Sequence, residues 1–331
     1  MQLTNLKIMI TGGAGFIGSH LAELLASNNE LLIVDDFSIG KRENLRGVQN
    51  MPQVRIVEAD VTDPDRMIEL ASGIDVIYHL AISCLRTSLK RPRLNHDINA
   101  GGTLNLCMAA HKQGVKRFIY CSSSEVYGTA VTAPMPESHP CQPTTVYGAS
   151  KLAGELYALA YWRTYGLPVC VVRPFNTYGP REPHEGARAE VIPRFVLRLR
   201  NGQPPVIFGD GSQTRDFTFV EETARGLLLA GECDDLVAET VNIAYGQEIS
   251  IAQIARLLME LTETTHLGIE YAQSRPGDVD RHTADISKAR RLLGFDPSID
   301  IRAGLARYLE WFDRVPPSQR SPADKAGLPN W

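Results

Sequence analysis

Six runs in the first half of the chain read as strands, most of them apolar throughout: 6–11 (LKIMIT), 31–35 (LLIVD), 54–60 (VRIVEAD), 74–81 (IDVIYHLA), 116–122 (KRFIYCS) and 167–174 (LPVCVVRP). A strand with one wet face alternates apolar and polar positions. These runs do not, so they predict strands covered on both faces, as in a parallel sheet. Between them, 15–27, 63–71, 97–113 and 147–165 carry helical patterns. Such alternation predicts right-handed βαβ units and an α/β fold built on a doubly wound parallel sheet.

Beyond about residue 175 the texture changes. The stretch FNTYGPREPHEGARAEVIPRF, rich in Gly, Pro and charge, is expected as a long loop, and short strands follow in PPVIFG and RDFTFV. Helical patterns recur near 220–231, 250–262, 286–293 and 301–313. The pattern predicts a sheet domain over 1–175, a smaller α/β lobe over 176–315 lying on the sheet's C-terminal edge with segments crossing between the two, and a polar tail over 316–331. The tail is expected to be poorly ordered.

Composition narrows the class. With 34 basic and 38 acidic residues the net charge is −4, which gives nucleic acid no basic face to bind. No apolar run is long enough to span a membrane, and the first residues, MQLTNLKIMITGG, lack a secretory leader, so a cytoplasmic location is expected. The six cysteines form no C-x-x-C pair and are expected to be reduced thiols; no metal-ligand spacing is present, and no metal is expected.

Candidate chemistry begins at LKIMITGGAGFIGSHLAELL, where Gly12, Gly15 and Gly18 stand between a strand and a helix. Residues without a Cβ let backbone N–H groups approach a pyrophosphate at a helix N-terminus. Asp35 closes the second strand 17 residues after Gly18, where a carboxylate can accept ribose hydroxyls and repel a 2′-phosphate. The unit predicts a Rossmann-type site for NAD rather than NADP. Asp60, closing the third strand, is placed to meet the adenine amino group. Further on, Tyr147 and Lys151 are i and i+4 on a helix, so they share one face. An ammonium near a phenol favours the phenolate, which can take a proton from a sugar hydroxyl as hydride leaves its carbon. Ser122, Ser123 and Ser124 end the fifth strand, where a hydroxyl can share that proton.

These motifs carry a resemblance. TGGAGFIG, VDDFS, HLA, SSSEVYG, YGASK, RPFNTYGP, GDGSQTRDF and RPGDVDRHTADISKARRLLGF together make the chain similar, to about residue 313, to extended short-chain dehydrogenases/reductases of the NAD-dependent epimerase/dehydratase group. That group acts on nucleotide sugars. The resemblance implies Tyr147 as acid/base, Lys151 as its tuner and ribose anchor, and Ser123 as partner of the sugar 4-hydroxyl. Phe16, Ile17, Asp36, Ser38, Val61, Leu80, Ala81 and Asn99 complete the expected NAD contacts. Asn176, Val191, Arg215, Arg275 and Asp278 are expected to hold the nucleotide or its diphosphate, with a UDP-sugar favoured. Ser83, Cys84, His184, Glu185 and Arg188 are expected around the sugar. The shared first step is oxidation at C4; a 4-epimerase is placed ahead of a 4,6-dehydratase or a UDP-glucuronate decarboxylase. Glu125, as a base, would serve the latter two. A non-catalytic NAD-binding protein and a dehydrogenase exchanging free cofactor are the remaining alternatives. Helices 97–113 and 147–165 are apolar on more than one face, so a homodimer through a four-helix bundle is expected.

Overall fold

The computed structural model describes residues 1–185, 188–274, 279–316 and 320. Arg275, Asp278 and nearly all of the 316–331 tail lie outside the described residues.

The predicted alternation is present. The chain runs β1 (Lys7–Thr11), α1 (Phe16–Ala26), β2 (Glu30–Asp35), β3 (Val54–Glu58), α2 (Pro64–Leu70), β4 (Val76–His79), α3 (Leu85–Lys90), α4 (Pro92–His96), α5 (Gly102–Gln113), β5 (Arg117–Cys121), α6 (Val146–Tyr165) and β6 (Val169–Pro174). Past that point come β7 (Thr177–Tyr178), α7 (Val191–Arg200), β8 (Val206–Phe208), β9 (Thr214–Asp216), β10 (Thr218–Phe219), α8 (Val220–Glu232), β11 (Thr240–Ile243), β12 (Glu248–Ser250), α9 (Ile251–Leu261), β13 (Glu270–Ala272), β14 (Arg281–His282), α10 (Ser287–Leu293) and α11 (Ile301–Phe312). Most predicted ends fall within two residues of the observed ones, as expected where element ends fray.

The main sheet has seven strands in the order β11-β6-β5-β4-β1-β2-β3, all parallel. Strands β1, β4, β5 and β6 are buried on both faces, save Lys7, which is why their sequences do not alternate. One face carries α1, α8 and α10 through Leu21, Leu25, Leu227 and Ala289. The other carries α2, α5 and α6 through Met67, Leu106, Ala109 and Ala158. A third core joins α7, α9 and α11 in the smaller lobe.

Several elements depart from the sequence reading: α7 begins inside the stretch expected as a loop, and β7, β12, β13 and β14 are not expected from sequence. Strand β11 is not expected from sequence: TVNI is too short and too plain to stand out, and only its pairing with β6 reveals it. Helices α3 and α4, split at Pro92, are likewise additions. The helix expected over 97–113 starts as a π turn over Asp97–Gly101, before α5. No described helix is long and apolar enough to cross a membrane.

Local signals place α6, which carries the Tyr/Lys pair. Thr145 caps it by accepting from the Gly148 N–H at 3.0 Å, and Gly166 ends it in the left-handed region at φ +72°. Its flank is pinned to β6 by a buried two-pronged ion pair. Arg173 Nε donates to Glu155 Oε1 at 2.9 Å and Nη2 to Oε2 at 2.6 Å.

Candidate active site

The carboxyl ends of the strands open into a cleft of about 670 Å³, which residues of α7, β8 and β9 also line. This is where a parallel sheet binds ligands.

At one end stands the glycine loop. Gly12 has φ +70°, and a Cβ there would lie 2.6 Å from the Ala81 backbone nitrogen; a Cβ on Gly18 would lie 2.2 Å from Gly12 O. No side chain caps α1 at Gly15, so its first turn, with Phe16 and Ile17, forms cleft wall. Asp35 is 6% exposed, accepts from Ala14 N and Phe37 N at 2.9 Å each, and borders the cleft. Each oxygen thus keeps an acceptor site for a hydroxyl. Burial raises its pKa and the two amides oppose this. Asp36, Ser38, Asp60, Val61, Leu80 and Ala81 also line this end.

Asn99 departs from expectation. It is buried behind the wall, its Oδ1 accepting from Ser83 N at 2.7 Å and its Nδ2 donating to Ser83 O and Ser150 Oγ. It braces the cleft through Ser83 instead of facing the cofactor. The signal missed is the companion Asn95, which donates to the same Ser83 carbonyl.

In the middle lie the Tyr147 ring, Ser122, Ser123, Ser124 and Glu125. Ser123 Oγ accepts from Glu125 N at 3.2 Å, and Ser123 lines the cleft together with the Tyr147 ring. The helix reaches this loop closely because residue 148 is glycine: a Cβ there would lie 2.5 Å from Glu125 O. Burial pushes the phenol's pKa up; Ser123 opposes this, while Cys121, Glu125 and Cys84 add to it.

Lys151 is 1% exposed, and its Nζ donates to Cys121 O at 2.7 Å above the Tyr120 ring, 4.4 Å from the ring centroid. Burial lowers its pKa to about 8. The i, i+4 spacing puts Tyr147 and Lys151 on one face, and the carbonyl at the end of β5 accepts one N–H of the ammonium.

At the far end, Asn176, Val191 and Arg215 line the cleft as expected. Arg215 Nη1 donates to Thr214 O at 2.8 Å and Val279 O at 2.6 Å. Arg194 and Arg198 of α7 join them, unforeseen in the sequence reading. Their four-residue spacing in VIPRFVLRLR was the available signal. With Arg188, four guanidinium groups line this end, a donor set suited to phosphate. Of the residues expected around the sugar, Cys84 and Arg188 reach the cleft. Ser83 stands behind it, bonded to Asn99. His184 is buried against Trp311 and Phe312, each 5.6 Å away between ring centroids, and Glu185 pairs with Lys41 at 2.9 Å.

The residues fit a dinucleotide. The glycine cradle is where Cβ atoms would collide, and Ser122 Oγ is buried with no partner, a hydroxyl left for a ligand. A Rossmann-type sheet, a glycine loop and a Tyr/Ser pair define an oxidoreductase-like class of site. A family model described as the NAD-dependent epimerase/dehydratase family matches residues 8–244, and the chain belongs to that family. It is therefore an enzyme whose cofactor is NAD.

The chain is 35% identical to a putative UDP-glucose 4-epimerase of Methanocaldococcus jannaschii, over 92% of this chain and 97% of that protein. It is 33% identical to UDP-glucuronic acid decarboxylase 5 of Arabidopsis thaliana, over 93% and 90%. Among solved structures, a UDP-N-acetylglucosamine 4-epimerase from Methanobrevibacter ruminantium M1, in complex with UDP-N-acetylmuramic acid, superposes with a TM-score of 0.89. It shares 33% identity over 94% of this chain and 99% of that one.

Proposed function

We propose that the chain is a UDP-sugar 4-epimerase that oxidises sugar C4 to a transient ketone and reduces it again without releasing its cofactor. The carrying observation is that Tyr147 and Ser123 line one cleft with the glycine loop and with Arg194, Arg198 and Arg215. A nucleotide diphosphate gripped at Arg194, Arg198 and Arg215 would bring its sugar to that pair. Tyr147 Oη takes the proton of the 4-hydroxyl, and Ser123 orients that oxygen and shares the proton. NAD held at the glycine loop would supply the acceptor for the C4 hydride and the source of its return. Tyr147 then returns the proton to the oxygen. Lys151, tied to Cys121 O at 2.7 Å, would be the ribose anchor that the resemblance implies.

Loss of water from the sugar would also need an acid for the departing hydroxyl. Position 124, where one common dehydratase pattern has an aspartate, is a serine. Glu125 keeps a second reading alive, decarboxylation of a 4-keto uronate, which the name of the Arabidopsis relative also favours. The decisive experiment gives the holoenzyme UDP-glucose, UDP-N-acetylglucosamine, UDP-glucuronate and dTDP-glucose, and follows products by NMR. Interconversion of C4 epimers is expected. Carbon dioxide from UDP-glucuronate, or an alkali-absorbing enone, as the main product would overturn it, and loss of that product in Glu125→Gln would assign the carboxylate.

We also propose a homodimer. Met108 of α5 and Leu156, Tyr157, Trp162 and Tyr165 of α6 are 37–56% exposed on adjacent helices. Pairing them with a second copy would make a four-helix bundle and bury this patch. Light scattering should report twice the 36.5 kDa chain mass; a mass of one chain would exclude the pairing. The division at 175/176 and a cytoplasmic setting, which suits six free cysteines, belong to the same proposal.

A further inference from the structure

The segment after β7 turns back over the dinucleotide end of the cleft, and three side-chain contacts tie it down there. His20 Nε2, on α1, donates to Pro180 O at 3.0 Å. Arg181 Nη2 donates to Glu23 Oε1, one turn further along α1, at 2.5 Å. Lys41 Nζ, in the loop after β2, donates to Glu185 Oε1 at 2.9 Å. The first two anchor the segment to the helix whose opening turn lines the cofactor site. The third anchors it to the loop that Asp35 and Ser38 begin. Between the anchors, Glu182 and Pro183 face the cleft. Outward-reaching Arg181 and Glu185 thus alternate with inward-facing residues, so the segment is both cleft wall and tie.

The backbone is bent to achieve this. Arg181 has φ +71°, in the left-handed region that a residue with a Cβ rarely occupies. The Arg181–Glu23 pair is also sheltered, with side chains 20% and 33% exposed, so solvent screens it less than a surface pair.

We propose that residues 180–185 form a strap that keeps NAD on the enzyme between turnovers, with Arg181 as the positioning residue. This rests on the reading above, in which one cofactor molecule gives back the hydride it received. A dinucleotide seated between α1 and the loop after β2 leaves past this segment, so release requires the ties to break.

The test measures how fast NAD leaves the purified holoenzyme, by NAD content after desalting and by its dissociation rate. Arg181→Ala and Arg181→Glu should each speed release about tenfold or more, and Lys41→Ala less, since its pair is more exposed. The charge-swapped double variant, Arg181→Glu with Glu23→Arg, should bring release back toward the wild-type rate, an outcome that simple misfolding cannot give. Release within about twofold of wild type in Arg181→Ala and Lys41→Ala alike, from a wild type that keeps its NAD, would overturn the strap alone. A wild type that loses NAD on desalting would overturn the retained-cofactor reading itself, and the strap with it.

Discussion

Tyr147→Phe is expected to lower kcat for the 4-hydroxyl oxidation by about a thousandfold, the middle of the range for loss of a positioned acid/base. The phenyl ring keeps the packing of the native side chain and loses only the oxygen. NAD content and thermal stability should therefore stay near wild type, and KM should move little. The measurement is steady-state turnover beside NAD content. Turnover by the Tyr147→Phe variant within about tenfold of wild type would remove Tyr147 from the chemistry. In the free protein burial holds the phenol in its neutral form, and the Lys151 ammonium is engaged by Cys121 O. NAD bound beside the phenol would add the positive charge of its nicotinamide ring to that of Lys151, which would tie proton transfer to the oxidised cofactor.

The second large effect concerns stability. Arg173 and Glu155 are 5% and 1% exposed and meet through two hydrogen bonds, while the guanidinium also lies over the Tyr127 ring, 4.7 Å from the ring centroid. Arg173→Met strands the Glu155 carboxylate in the interior. The expected cost is about 3–5 kcal/mol, because removing one partner leaves an uncompensated buried charge. Chemical denaturation should show the loss directly. The double change Arg173→Met with Glu155→Leu should recover part of it, since the desolvated charge is then gone. A single variant within about 0.5 kcal/mol of wild type would mean that water reaches the pair.

Much of this architecture was legible from periodicity. Strands β1, β4, β5 and β6 are apolar because helices cover both faces, and the same burial makes them stand out along the chain, whereas β3, at the sheet edge, keeps Arg55 and Glu58 exposed. The glycine loop was legible for a steric reason: at Gly12 and Gly18 backbone passes where a Cβ would stand. What escaped depends on neighbours distant in sequence. Strand β11 exists because β6 offers an edge. Asn99 reads like a ligand contact by position, yet Ser83 and Ser150 consume its amide. Tyr147 and Lys151 share a helix face as their spacing dictates, but which acceptor wins the ammonium is decided by where Cys121 O lies. Arg194 and Arg198 were visible as a one-turn pair, and became informative only once α7 was seen to border the cleft.

Strand β11 has a further consequence for how the molecule can be cut. A fragment ending at residue 175 would contain the whole nucleotide half in name, yet would leave the backbone of β6 bare along one side, without the Thr240–Ile243 ladder that closes it. It would also strip α8 from the apolar face of α1. Such a fragment would present raw sheet edge and uncovered core together, the two features that drive chains to stick to one another. The halves therefore differ in role but do not part as independent modules.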